Sequence, residues 1–397
     1  MNRRISDIQL LRGIAVLFVL VEHTQFNLFG EPNRLLTYIY PNFGGWTGVD
    51  LFFAISGFVI ARDLIPRLAR SDGRQFSTML SFWVRRASRL WPSAWLWLAL
   101  ILVAVVGFNR SGAFGIVRTN LDATLAGVFN YGNFRLMATF GRSEYGASFP
   151  YWSLSLEEQF YLLLPFAVII FRRWLPWVLL VPLFYQLYAH RHYDLFLMAT
   201  RSDALMLGVL LAIWSQHPSY RWFEPVFLKS RQWLRWIVLL LLVLGLGAMG
   251  SYRFAEFRFW VGVVALISAL LVFIGSYDQD YLMPDNPLKK VFLWLGSRSY
   301  ALYLTHIPAY LASREIWFRI EPVNTVFAKN YNGRLALTAI VLVVIFSELN
   351  YRFVETPFRI RGKLLADRIN LSPGWFQAWL GRFRNRPSIA AADSEKS

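Results

Sequence analysis

Residues 8–23 read Ile8-Gln9-Leu10-Leu11-Arg12-Gly13-Ile14-Ala15-Val16-Leu17-Phe18-Val19-Leu20-Val21-Glu22-His23. The run is apolar enough to enter hydrocarbon, yet it carries Arg12, Glu22 and His23. The basic Asn2-Arg3-Arg4 ahead of it would suit a signal peptide. Three ionisable groups spoil that reading, and no small-x-small cleavage site follows, so the segment reads as a retained membrane helix. Arg12 and His23 are eleven residues apart, about 20° from three full helical turns, so they share a face about 16 Å apart along the axis. Ionisable groups inside spans are costly, and they are functional candidates by default. The plainer alternative is a snorkelling Arg12 and a His23 that serves as an interhelical hydrogen-bond partner.

Working outward, ten segments of this kind follow one another: 8–29, 46–62, 92–108, 154–171, 174–189, 196–215, 234–250, 258–275, 291–312 and 334–354. Most approach the roughly 20 apolar residues that a spanning helix needs. Over 397 residues, 56% are hydrophobic and 16% charged; a soluble domain carries about 25% charge. The expected fold class is all-α, a polytopic bundle of about ten transmembrane helices over residues 1–360. Residues 361–397 form a basic tail. In it, Leu364-Leu365 and Trp375 to Leu380 read as an interfacial amphipathic helix, and 385–397 as disordered. The chain has no cysteine, which excludes disulfides, thiolate metal sites and a Cys nucleophile. No metal is expected.

The net charge of +17 comes from 41 Lys/Arg against 24 Asp/Glu. Such an excess can mark nucleic-acid binding, but its placement argues for topology. With the N-terminus inside, the cytoplasmic pieces hold about 25 Lys/Arg and the outer loops about 12. Arg62, Arg67, Arg70, Arg74, Arg85, Arg86 and Arg89 share one cytoplasmic loop. An even number of spans puts both termini in the cytoplasm. No nucleic-acid partner is expected, and membrane lipid surrounds the bundle.

Polar residues recur where lipid should be. Asp50 opens the second span at its outer mouth, and Ser56-Gly57 lies in its middle; Gly57 reads as close helix packing, and Ser56 as packing or a polar lining. Arg86 and Arg89 are i, i+3 on one helical face, and paired guanidinium forks suit phosphate; plain positive-inside anchoring is the alternative. Trp152-Ser153-Leu154-Ser155-Leu156-Glu157-Glu158-Gln159-Phe160-Tyr161 places Ser153, Glu157 and Tyr161 in one stripe. A capping box from Ser155 to Glu158 would explain Glu158 better than Glu157. Ser299, Tyr303 and His306 sit at i, i+4 and i+7 in the ninth span, and a second intramembrane histidine suggests an aqueous cleft. Glu355 and Arg359 follow the tenth span and suit an i, i+4 pair.

These pieces together resemble the acyltransferase-3 family of integral membrane acyltransferases. The matching residues are Leu11-Arg12-Gly13 with His23, Gly48 to Phe58, Arg86-x-x-Arg89, Trp152 to Tyr161, Arg201-x-Asp203 with Gly208, Leu295 to Pro308, and Glu355-x-Pro357. They fall in family order across residues 5–360. The resemblance implies transfer of an acyl group, most often acetyl, from cytoplasmic acyl-CoA to a hydroxyl, usually of a sugar at the outer face. It implies a bacterial inner-membrane protein. The family's first-helix Arg and His land on Arg12 and His23, and its R-x-x-R on Arg86 and Arg89. Some members carry an extra extracytoplasmic esterase-like domain. The expectation here is transfer completed within the membrane domain or with a separate partner.

In that scheme His23, Arg12 and Glu157 are the catalytic candidates. Acetyl-CoA is expected at Arg86, Arg89, Arg12, Ser56 and Glu355. The acceptor, a carbohydrate or glycolipid such as a surface polysaccharide or lipid-linked glycan, is expected at Asp50, Trp152, Ser153, Tyr303 and His306. A sugar hydroxyl needs a base to take its proton as the bond forms, and the imidazole of His23 titrates near neutrality. The rival class is a polytopic transporter of an organic anion or glycolipid, which would need no CoA and would release its cargo unmodified.

Overall fold

The structure, a computed structural model, describes residues 5–71, 73–191, 194–322, 325 and 327–371. The tail readings at Trp375 to Leu380 and at 385–397 lie outside the described residues. All ten apolar segments fall on helices: α1 Ser6–Glu22, α2 Thr47–Ala69, α3 Gln75–Gly107, α4 Tyr151–Phe171, α5 Leu175–Tyr188, α6 Asp203–Trp214, α7 Gln232–Met249, α8 Trp260–Gly275, α9 Ser299–Ile320 and α10 Asn332–Leu349. Shorter helices at Val117–Val128 and Gly132–Thr139 fill the long connection before α4. Among the described residues there is no β-strand, only an isolated bridge between Gln25 and Phe29.

The stretches Gln75–Gly107, Tyr151–Tyr188, Gln232–Met249 and Lys329–Asn370 are long and apolar enough to cross a membrane, and Asp203–Trp214 and Trp260–Gly275 are shorter apolar helices. By contrast α1, α2 and α9 run through the middle of the bundle with most of their residues buried. Large apolar side chains such as Leu163, Ile170, Val181, Leu241 and Leu337 point outward instead. An apolar exterior this extensive suits hydrocarbon rather than water. The chain is an all-α polytopic membrane protein.

Lipid tails are as apolar as leucine, so helices in a bilayer associate through close packing of small residues. One such contact joins α2 to α6. A Cβ on Gly57 would lie 2.1 Å from the Leu205 carbonyl oxygen, and one on Gly208 2.3 Å from that of Ala54. Gly57 is therefore a packing residue, and its backbone contact holds α2 at a fixed depth against α6.

Several boundaries differ from the sequence reading: α1 ends at Glu22, short of residue 29, and the expected sixth span divides into Leu195–Ala199 and α6. Helix α3 begins at Gln75, so Arg85 to Pro92 ride on a 33-residue helix rather than in a loop. The expected ninth span divides at Arg298 into Pro287–Ser297 and α9. There Arg298 turns to pair with Glu348 at 2.8 Å, while a Cβ on Gly296 would meet the Gln9 carbonyl of α1 at 1.8 Å. Beyond α10, a turn of π-helix at Asn350–Glu355 leads into α11, Thr356–Leu371. Helix α11 lies along the first half of α3: Asn370 Nδ2 donates to Ser81 Oγ at 3.1 Å, and Arg85 approaches Asp367 at 3.9 Å. Leu364 and Leu365 face outward.

Candidate active site

Arg86 and Arg89 stand one turn apart on α3, and α1 brings Arg12 in from the side. All three line a single cavity with Ser56 of α2, Glu157 and Tyr161 of α4, and Tyr303 of α9. Three guanidinium groups thus share the cavity with one carboxylate. The Nε atoms of Arg12 and Arg89 are buried with no hydrogen-bond partner among the described residues. A buried donor left unmade costs about 1–3 kcal/mol, and the three cations of the cavity outnumber its one carboxylate. The Arg86 guanidinium lies over the rings of Tyr161 at 5.1 Å and Phe82 at 5.9 Å, which fix its position. Arg12 does not snorkel; its electrostatic neighbours are Arg89, Tyr161, Glu157 and Arg86.

Glu157 is held at both oxygens. Ser56 Oγ donates to Oε1 at 2.6 Å, and the Tyr161 hydroxyl donates to Oε2 at 3.0 Å. Further along the cavity the Tyr303 hydroxyl meets Ser153 Oγ at 2.7 Å and donates to the Pro150 carbonyl at 3.0 Å. About 50 Å³ of the cavity is open to the centres of water molecules, room for a few waters at about 10–15 Å³ each on that measure.

One turn beyond Tyr303, α9 presents His306. Its Nε2 lies 2.7 Å from His23 Nδ1, and the two rings are nearly parallel, at 8°. Phe149 packs edge-on against His23 at 4.8 Å. His306 is fully buried, and its Nδ1 makes no hydrogen bond among the described residues. The structure therefore links Arg12, Arg86, Arg89, Ser56, Glu157, Ser153 and Tyr303 around one cavity. It also joins His23 to His306, with the Tyr303 and His306 rings 5.7 Å apart.

The remaining candidates lie elsewhere. Asp50 is fully buried, not at an open mouth, and faces Arg201 Nη2 at 3.3 Å. Trp152 and Trp46 sandwich that guanidinium at 4.9 Å each. Glu355 is buried at the end of the π turn, 3.8 Å from Arg359. The capping-box reading of Ser155 does not hold, because α4 starts four residues earlier at Tyr151. Ser155 Oγ accepts from Gly132 N, and Glu158 accepts from Trp91 Nε1 at 3.3 Å. Sequence reasoning missed Phe149 and Trp46, whose signal is only a ring beside a polar motif.

The fold is thus a membrane bundle whose interior holds an arginine cluster and, beside it, a histidine pair. The chain belongs to the acyltransferase-3 family, an acyltransferase domain that matches residues 5–347. Among curated proteins it is 28% identical over 388 residues to YrhL of Bacillus subtilis, provisionally named a peptidoglycan O-acetyltransferase, covering 91% of this chain and 56% of that one. It is 26% identical over 387 residues to the peptidoglycan O-acetyltransferase OatA of Listeria monocytogenes, covering 91% and 57%. A provisionally named O-acetyltransferase of Staphylococcus aureus is 29% identical over 392 residues, covering 91% and 58%. The chain thus spans a little over half the length of these relatives. No solved structure matches it significantly.

Proposed function

We propose that this chain is a membrane O-acyltransferase that moves an acetyl group from acetyl-CoA to a carbohydrate hydroxyl, with peptidoglycan the acceptor class its named relatives suggest. The observation that carries the reading is the cluster of Arg12, Arg86 and Arg89 in a cavity whose one lining carboxylate is Glu157. CoA is a multiply phosphorylated anion, and guanidinium forks match phosphate geometry. The donor supplies a thioester, a carbonyl already activated for attack. His23 takes the acceptor hydroxyl's proton as the new ester bond forms, and returns it to the departing thiolate. The family to which the chain belongs does not favour the transporter alternative. The charge asymmetry supports a cytoplasmic arginine cluster and cytoplasmic termini in a bacterial inner membrane.

The test is acetyl-CoA binding to purified wild-type, Arg86→Ala, Arg89→Ala and Arg70→Ala proteins at two salt concentrations. Losing either clamp arginine removes charge-assisted hydrogen bonds of about 1.5–3 kcal/mol and should weaken binding roughly 10- to 100-fold. Arg70→Ala should bind like wild type. Higher salt should weaken binding, because the contacts are ionic. No binding by wild type, or equal loss in all three variants, would overturn the donor assignment.

A further inference from the structure

Neutral imidazole carries one proton, so in a bond between two neutral histidines one ring donates and the other accepts. The bond between His23 Nδ1 and His306 Nε2 can be made in two ways. If His306 donates, His23 carries its own proton on Nε2 and cannot accept another there. If His23 donates, its Nε2 is bare. The position of the bond decides between them for a base. Nδ1 of His23 is taken up by His306, so a base at His23 acts through Nε2, and that requires the proton on His23 Nδ1 and His306 Nε2 as its acceptor. Among the described residues no hydrogen bond engages His23 Nε2, and His23 is only partly buried.

We infer that His306 is a positioning residue: its Nε2 accepts the His23 Nδ1–H, fixes the His23 tautomer and leaves His23 Nε2 bare to act as the base. The tautomer of an imidazole is set by the bond its other nitrogen makes. Phe149, edge-on to His23, and Tyr310, edge-on to His306 at 5.8 Å, keep both rings from turning. His306 thereby moves from the acceptor-binding role expected of it to one exerted through His23. The proton assignment and its catalytic consequence both rest on the acyl-transfer reading, in which His23 is the base.

The experiment uses full-length protein in lipid nanodiscs with ¹⁵N-labelled histidine. Nitrogen shifts separate protonated from bare ring nitrogens, and subtraction of a His23→Ala spectrum assigns His23. Wild type should show protonated Nδ1 and bare Nε2 at His23. His306→Gln, whose amide oxygen can stand in for the accepting nitrogen, should keep that pattern; His306→Leu should give mixed tautomers. In transfer assays His306→Leu should lower kcat roughly 10²-fold, the usual scale of acid–base assistance, with KM little changed, and His306→Gln should recover most of it. A wild-type His23 protonated at Nε2 would overturn the inference whether or not the protein transfers acetyl groups. Equal kcat losses in the Gln and Leu variants would overturn it too, leaving His306 a packing residue. If wild type shows the tautomer but no transfer, the acyl-transfer reading fails and the positioning stands.

Discussion

Two clusters of buried charge occupy this bundle, and they are built from the same residue types to opposite ends. In one, Arg191 Nη2 meets Asp203 at 2.5 Å, and Arg201 faces Asp50 at 3.3 Å between two tryptophans. Two cations are matched by two anions. Gln186 closes the set: its carbonyl accepts from Arg191, and its Oε1 accepts the backbone N–H groups of Ser202 and Asp203. In the other, Arg12, Arg86 and Arg89 share the cavity with one carboxylate, Glu157. Unmade hydrogen bonds do not separate the two: among the described residues Nε of Arg12 and of Arg89 is buried without one, and so are Arg191 Nη1, Arg201 Nε and Asp203 Oδ1. What separates them is charge balance. The closed cluster balances its own charges, and the open one carries three cations to one anion. Intramembrane charge alone therefore does not mark a ligand site; an unbalanced set is where a counter-charge would be sought.

The largest effect should come from breaking the closed cluster. Arg191→Leu strands Asp203 as a buried anion, which costs about 3–5 kcal/mol. The thermal midpoint in detergent should fall sharply, and Arg191→Leu with Asp203→Leu should recover part of it. A single variant as stable as wild type would dissolve the distinction between the two clusters. In the open cluster the same kind of damage should be milder. Ser56→Ala removes one hydrogen bond from Glu157, but Tyr161 and the arginines remain, so the loss should be about 1.5 kcal/mol, the low end for a bond to a charged group. A collapse in stability would mean that the open cluster is structural after all. The smallest effect sharpens the comparison most. Glu157→Gln removes the one carboxylate that lines the cavity, so acetyl-CoA should bind a few-fold more tightly and raise the thermal midpoint more than in wild type, while transfer falls. Weaker binding in this variant would show that Glu157 completes the anion site rather than opposing it.

The spans were legible because each is an apolar run, and a run survives any packing around it. The start of α3 was not. Residues 75–91 carry Arg85, Arg86 and Arg89, so apolarity fades at residue 92 although the helix does not. The break at Arg298 was hidden for another reason: its causes, Gln9 and Glu348, lie far away in sequence. Arg12, Arg86, Arg89, Glu157 and Tyr303 stood out as polar groups in hydrocarbon. Which of them meet was not readable. Asp50 looked like an open-mouth residue until the fold brought Arg201 to it across 151 positions, and His23 and His306 are 283 residues apart.

The hydroxyls along the cavity bear on how protons are kept in place. A membrane that stores work as a proton gradient tolerates no loose polar path through it. This bundle lays acids, arginines and imidazoles in its interior, the ingredients of a proton wire. The hydroxyls of Ser56, Ser153 and Tyr303 are tied to protein partners. Each tie holds a proton in a set direction, so a hop along the lining requires a hydroxyl to turn and break its bond. The side-chain movement that admits a substrate would also loosen those ties.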